Sequence, residues 1–196
     1  MRKIRVVFLD RDGVINKYPG DKEYVKSWRE FSFLPNVKPA LKKLSENGYR
    51  LFIVSNQAGV SKGIYPKENL DEITDKMLNE LSGDKIDISE VYYCTHRPED
   101  NCNCRKPKIG LLERAAGKLK QQDLEIDFKE SYFIGDTIRD IETGKGAGLK
   151  TVLIFSGKEK PENKESWQTT PDFSARDLSE AAELIIAYSR KSDTKV

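Results

Sequence analysis

The chain has few cysteines, a single histidine and no long apolar run. Only three cysteines and one histidine occur among its 196 residues. No segment approaches the roughly 18 consecutive apolar residues of a membrane-spanning helix, so we expect no membrane insertion. The N-terminus passes from Met1 through two basic residues straight into a strand-like segment, without the plan of a signal peptide. These absences predict a cytoplasmic protein.

An excess of charge of one sign is also lacking. The 34 basic and 32 acidic residues are mixed along the chain and leave a formal net charge of +2. A large basic surface for nucleic acid is therefore not expected, although a small anionic ligand is compatible with this balance. The length and the 37% of hydrophobic residues predict one soluble globular domain over residues 1–196.

Short apolar runs rich in β-branched residues alternate with helical patterns. Such runs are typical of strands that are buried on both faces of a parallel sheet. The predicted strands are 4–10, 49–55, 131–136 and 149–155, with a less regular one at 87–94, and the predicted helices are 35–48, 66–83, 109–122, 137–146 and 177–191. The sequence thus predicts an α/β fold with a doubly wound, Rossmann-like parallel sheet that binds ligands at the carboxyl ends of its strands. We expect residues 156–172, which are polar, to form a surface loop.

Acidic residues follow two of the predicted strands. Asp10 ends the first strand and Asp12 lies two positions later, while Asp136 ends the strand at 131–136 and Asp140 follows one helical turn on. Each acid taken alone is equally typical of a turn or a helix N-cap. Three carboxylates at the tips of neighbouring strands instead favour a shared Mg²⁺ site, because a cation offsets their repulsion.

The strand at 49–55 brings two small polar side chains to the same edge. Ser55 and Asn56 are followed by Gln57, Ala58 and Gly59. A hydroxyl and an amide at this place suit phosphate oxygens, although the pair is also ordinary turn chemistry.

The order of these motifs resembles the haloacid dehalogenase superfamily of phosphatases. Its pattern is an apolar strand ending in DxDG, a strand ending in Ser or Thr, a Lys, and GDxxxD, and here these are Asp10/Asp12, Ser55, Lys106 and Asp136/Asp140. The forms DRDG, SNQAGV and CRKP resemble the subgroup that contains D-glycero-D-manno-heptose 1,7-bisphosphate phosphatase and histidinol-phosphate phosphatase. The chain has no spare length for a cap domain, so we expect a capless, open site.

The resemblance implies hydrolysis of a phosphomonoester through an aspartyl-phosphate. Asp10 would be the nucleophile, and Asp12 would act first as general acid and then as general base. Ser55 and Lys106 would stabilise the transferring phosphoryl group. Mg²⁺ would be held by Asp10, the backbone carbonyl of Asp12 and Asp136.

Further roles in substrate binding follow from the same resemblance. Asp140 would support Lys106 or the metal from behind. Arg105 would bind a second phosphate or the sugar, because a guanidinium suits bidentate recognition of an anion. Asn56 is a further candidate for substrate contact. The expected partner is a small phosphorylated molecule, foremost heptose 1,7-bisphosphate losing its 7-phosphate. Histidinol phosphate and, more distantly, a 3′-phosphate on a nucleic-acid end are the alternatives.

All three cysteines and the histidine lie within residues 94–104. The spacing C-x-H-x5-C-x-C gives Cys94, His96, Cys102 and Cys104, the ligand set of a closed and therefore structural Zn²⁺ site. Buried free thiols, or one disulfide with a thiol left over, are the alternatives. The polar loop around these residues favours zinc. The resembling phosphatases carry a zinc loop of this type, which here would fix the chain that presents Arg105.

A segment at residues 17–34 is the best candidate for a flap over the substrate. It contains Tyr18, Gly20, Asp21, Tyr24 and Trp28, and its aromatic residues are equally compatible with simple packing. A zinc-stabilised binding module without catalysis is an alternative of a different class, but the retained, mutually repelling pair of acids in the first motif argues against it. We expect a monomer.

Overall fold

The structure is a computed structural model that describes residues 1–193. Its described part contains one seven-stranded parallel sheet. The strands are β1 Arg2–Leu9, β2 Tyr49–Asn56, β3 Ile88–Cys94, β4 Leu124–Ile126, β5 Tyr132–Gly135, β6 Lys150–Ile154 and β7 Phe173–Ala175. Their order in the sheet is β3-β2-β1-β5-β6-β7, and β4 pairs with the start of β1. The helices are α1 Val37–Glu46, α2 Lys67–Gly83, α3 Gly110–Lys120, α4 Ile138–Gly146 and α5 Leu178–Asp193. The predicted doubly wound sheet is confirmed.

Both faces of the sheet are buried, as the apolar strand sequences predict. Val7 and Leu9 of β1 belong to the core under α1, α2 and α5, whereas Val6 and Phe8 belong to the core under α3. Successive side chains of a strand point to opposite faces, so one uninterrupted apolar run supplies two cores. None of the helices in the described part of the chain has the length and apolarity needed to cross a bilayer.

Two strands were not predicted, and both are only three residues long. β4 extends the sheet beside the first residues of β1. β7 pairs with β6 immediately after the polar segment 156–172, which contains a 3₁₀ helix at Pro161–Ser166. Three residues are too few to display a strand period, so neither strand carries a signal of its own.

The sheet register brings three strand ends to one edge. Leu9, the last residue of β1, is paired with Ile53 of β2 and with Ile134 of β5. The residues that follow β1 and β5 therefore emerge side by side, next to the last residues of β2, which continues to Asn56. This edge carries the polar side chains described next.

Candidate active site

Three buried carboxylates come together at the carboxyl edge of the sheet. Asp10 follows β1, Asp136 follows β5, and Asp140 lies in the first turn of α4; one carboxylate oxygen of each lies within 4.8 Å of the others. Burial raises the pKa of Asp10 to about 6 and raises the pKa of Asp136 well above its ordinary value, and the neighbouring carboxylates add to both shifts. Acids held this close disfavour their own ionisation unless a cation joins them. Oxygen donors of this kind fit Mg²⁺.

Lys106 lies against two of these acids. Its Nζ is 2.9 Å from Asp10 Oδ2 and 2.6 Å from Asp140 Oδ1, and it donates to the Val54 carbonyl at 3.0 Å. Burial alone would lower the pKa of Lys106, but the two carboxylates outweigh burial and raise it. The ammonium is therefore charged and directed at the oxygen of Asp10.

Asp12 lines the same cavity as Asp10, but its carboxylate is held by different partners. Nη2 of the fully buried Arg11 donates to Asp12 Oδ1 at 2.9 Å, and the amides of Asn16 and Gln57 donate to the carboxylate at 2.9 Å each. Burial would raise the pKa of Asp12, but the charge of Arg11 and these hydrogen bonds lower it. The cluster of carboxylates that could hold a metal ion thus contains the side chain of Asp140 and not that of Asp12.

The end of β2 supports Lys106. Ser55 is buried and receives a hydrogen bond from the side chain of Gln57 at 3.2 Å. The side-chain amide of Asn56 forms two hydrogen bonds with the backbone of Lys106. Oδ1 of Asn56 accepts from the Lys106 N–H at 3.1 Å, and Nδ2 donates to the Lys106 carbonyl at 3.2 Å. Asn56 lines the cavity, but these two bonds occupy its amide, so in this structure it positions Lys106.

The backbone around Asp136 is shaped by two glycines. Gly13 has φ +81°, and a Cβ at either Gly13 or Gly157 would overlap the Asp136 carboxylate. The backbone N–H of Lys158 donates to Asp136 Oδ2 at 2.8 Å. Only residues without a side chain allow the chain to close around this acid.

Part of the segment 17–34 lines the cavity. Tyr18, Gly20 and Asp21 line the cavity, and the Tyr18 hydroxyl donates to Asp21 Oδ1 at 2.6 Å. Lys158 Nζ is 2.7 Å from the same oxygen and joins this segment to the loop after β6. Trp28 instead stacks on Phe31 with ring centroids 4.8 Å apart, so the segment combines cavity-lining and packing residues.

The four residues predicted to bind zinc converge outside the cavity. Cys94 Sγ lies 3.6 Å from Cys102 Sγ and 3.3 Å from Cys104 Sγ, and His96 Nδ1 lies 3.2 Å from Cys104 Sγ. Tetrahedral zinc with bonds of about 2.3 Å to sulfur places sulfur atoms roughly 3.8 Å apart. The observed separations are a few tenths of an ångström shorter, so a small outward movement of the donors would fit the ion. Nδ1, rather than Nε2, faces the thiols. In the described residues the three cysteines are free of disulfides.

Arg105 follows this cluster and also lines the active-site cavity. Its Nη1 donates to the His96 carbonyl at 3.2 Å, which ties it to the zinc loop, residues 94–104. The structure therefore places every predicted site residue either at the cavity or in the cysteine cluster.

Several residues at the site were not predicted. Arg11 and Gln57 fix Asp12, Lys158 holds Asp136, and Arg139 lines the cavity from α4. Arg11 stands between two acids in the sequence, and that pattern could have indicated an ion pair. The contacts of Gln57 and Lys158 arise from the tertiary fold alone.

Comparison with known proteins gives consistent matches over nearly the whole chain. A family model described as polynucleotide kinase 3 phosphatase matches residues 5–191. The D-glycero-D-manno-heptose-1,7-bisphosphate 7-phosphatase of Chlorobaculum tepidum is 35% identical, over 92% of this chain and 94% of that protein. The D-glycero-beta-D-manno-heptose-1,7-bisphosphate 7-phosphatase of Haemophilus ducreyi is 38% identical, over 79% of this chain and 85% of that protein.

A solved structure agrees with these sequence matches. The D,D-heptose bisphosphate phosphatase from B. bronchiseptica, complexed with magnesium and phosphate, superposes with a TM-score of 0.81 at 28% identity, covering 96% of this chain and 99% of that one. Fold, site and sequence therefore agree that the chain belongs to the polynucleotide kinase 3 phosphatase family, within the haloacid dehalogenase superfamily of phosphatases.

Proposed function

We propose that this phosphatase removes the 7-phosphate of D-glycero-D-manno-heptose 1,7-bisphosphate. The buried group of Asp10, Lys106 and Asp136 at the base of an open cavity is the observation that carries the chemistry. The names of the relatives, which align over most of their length, support the heptose bisphosphate as substrate.

The reaction divides into two displacements at phosphorus. In the first, Asp10 forms a bond to phosphorus while the bond to the sugar oxygen breaks, and Asp12 gives that oxygen a proton. In the second, water loses a proton to Asp12 and attacks the aspartyl-phosphate, so the bond to Asp10 breaks and phosphate is released. Free Asp12 is ionised, since Arg11 lowers its pKa. The negative charge of the incoming phosphate would raise that pKa and promote protonation.

The remaining residues hold the phosphoryl group and the ions. Lys106 and Ser55 would donate to the phosphoryl oxygens, and Asp140 positions Lys106 through their ion pair. Asp10 and Asp136 would hold Mg²⁺ together with the Asp12 carbonyl, and the bound ion would neutralise part of the negative charge of the carboxylates and the phosphate.

The cysteine cluster would hold a structural Zn²⁺ with no open ligand position. Arg105 would contact the far phosphate or the sugar, and Tyr18, Gly20 and Asp21 would contact the substrate from the segment 17–34. We further propose that the protein is a cytoplasmic, capless monomer of one domain.

The nucleophile is tested with p-nitrophenyl phosphate in the presence of Mg²⁺. Turnover should be abolished by Asp10→Asn and retained by Asp75→Asn, which alters an exposed acid on α2. If Asp10→Asn is as active as the parent, Asp10 is not the nucleophile.

The substrate is tested by phosphate release at equal enzyme and sub-saturating concentrations of three compounds. Heptose 1,7-bisphosphate should exceed both histidinol phosphate and a 3′-phosphorylated oligonucleotide in kcat/KM. A preference for either of the others would refute the proposed substrate while leaving the phosphatase mechanism intact.

A further inference from the structure

A second cavity, of about 300 Å³, lies between the zinc loop and the start of α4. Arg105, Lys106, Lys108 and Arg139 line it, and no Asp or Glu does so among the residues that the structure describes. Three of these cations, all except Lys108, also line the active-site cavity, so they form the boundary between the two spaces. The carboxylates of the site thus lie on one side of this boundary only.

The four cations differ in what balances their charge. Lys106 is paired with Asp10 and Asp140, and Lys108 donates to two backbone carbonyls of the zinc loop. Within the part of the chain that the structure describes, the side chain of Arg105 donates to a carbonyl and forms no ion pair. Arg139 has no ion pair with any residue in the described part of the chain, and its side chain is exposed. Among the described residues, no ion pair therefore offsets the charge of Arg105 or Arg139 in the second cavity, and Arg139 shares a further cavity with Glu142 and Glu159.

Arg139 also stands at an electrostatically unfavourable place for a cation. It is the second residue of α4, which begins at Ile138, and the amino end of a helix favours negative charge. Arg139 contributes no capping bond there, because Thr137 and Asp140 form the capping box. Local helix stability thus gives no reason for an arginine at this position, whereas an anionic ligand would.

We propose that Arg139 is a specificity-determining residue that binds the second phosphate of the substrate in this acid-free cavity. The proposal rests on the proposed function, in which the first phosphate lies at Asp10. A sugar carrying phosphates at both ends would place one beside Lys106 and the other beyond the boundary residues. There the planar guanidinium of Arg139 can make two parallel hydrogen bonds to phosphate oxygens, with Arg105 as the second cation.

The test compares two substrates that differ only in the second phosphate, heptose 1,7-bisphosphate and heptose 7-phosphate. Arg139→Gln should lower the ratio of their kcat/KM values at least about tenfold, since a hydrogen-bonded contact to a charged group is worth that factor. The loss should appear in KM for the bisphosphate, and Arg139→Lys should restore part of it. Lys120→Gln, an exposed change at the end of α3, should leave the ratio as in the parent. An unchanged ratio in Arg139→Gln would overturn the proposal.

Titration calorimetry separates this inference from the proposed function. Heptose 1-phosphate, which carries only the second phosphate, is titrated into Asp10→Asn and into the double variant Asp10→Asn/Arg139→Gln. We expect at least about tenfold weaker binding by the double variant. Equal affinities of the two variants would overturn the proposal. If the double variant binds more weakly but the parent enzyme hydrolyses the bisphosphate poorly, the result supports the subsite and counts only against the substrate assignment.

Discussion

Lys106 and Asp10 form an ion pair in the protein interior, with Nζ 2.9 Å from Oδ2 and side chains that are only 2% and 13% exposed. A buried ion pair contributes little net stability to a fold, because the loss of hydration of both charges offsets their attraction. Here Asp140 shares the same ammonium, so two carboxylates are balanced by one cation before Asp136 is added. The remaining negative charge matches a divalent ion, and the ammonium is left in place to meet a phosphate oxygen.

Replacing Lys106 should impair both stability and activity. Lys106→Met leaves the buried carboxylates of Asp10 and Asp140 without their cation, and removing one partner of a buried pair costs about 3 kcal/mol or more. We expect this loss in the free energy of unfolding from urea titration without added metal, and no measurable turnover. Lys38→Met breaks the surface pairs of Lys38 with Glu80 and Asp84 and should cost about 1 kcal/mol or less. Equal losses for the two variants would contradict this account.

Gly157→Ala should weaken magnesium activation. The added Cβ would overlap the carboxylate of Asp136, so the acid must leave its place beside Asp10. We expect the Mg²⁺ concentration for half-maximal activity to rise at least about tenfold, because 1.4 kcal/mol of lost metal binding gives that factor. Gly83→Ala is the matched control, since no atom lies within 4 Å of its added Cβ. An unchanged magnesium requirement in Gly157→Ala would show that Asp136 is not a ligand.

The sequence predicts the sheet well because each central strand is an apolar run buried on both sides. The five predicted strands occur in the structure, and the first acids after β1 and β5 reach one edge, as parallel topology requires. β4 and β7 could not be predicted, because each forms by pairing with a neighbouring strand and its own three residues carry no strand pattern.

The site is predicted less completely than the sheet. Asp10, Asp136 and Lys106 follow from motif order, and the cysteine cluster follows from spacing. The surroundings of Asp12 do not follow from the sequence, because its hydrogen-bond donor Gln57 approaches from the turn after β2. The contact of Lys158 with Asp136 could not be predicted either, because the conformation of the polar loop after β6 places the Lys158 backbone N–H beside the Asp136 carboxylate.

Loss of zinc should reduce activity although the cysteine cluster lies outside the active-site cavity. Cys104 directly precedes Arg105 and Lys106, so the metal would fix the segment that presents both cations. Cys104→Ser should reduce bound zinc, measured by mass spectrometry of the metal, and should speed amide exchange over residues 94–108. Asn103→Ser, an exposed neighbour, should retain both zinc and activity. Full activity in zinc-free protein would contradict the proposed role of the loop.

The last prediction concerns stability and pH at the edge of the sheet. Asp172 accepts hydrogen bonds from the backbone and hydroxyl of Thr151, at 2.8 and 2.7 Å, and pairs with Lys145. Burial alone would raise the pKa of Asp172, but these partners outweigh burial and lower it.

A carboxyl whose pKa is lower in the folded protein stabilises the fold above its unfolded pKa, and this contribution is lost as the pH falls through the folded value. Asp172→Ala should therefore cost about 1 kcal/mol at pH 7, a modest figure because the side chain is 38% exposed and screened. The difference from the parent should shrink below about pH 4, the ordinary range of an Asp pKa. Urea titrations at pH 7 and pH 3 measure it, with Asp75→Ala as an exposed control. A cost that is the same at both pH values would mean that the charge of Asp172 does not stabilise the junction of β6 and β7.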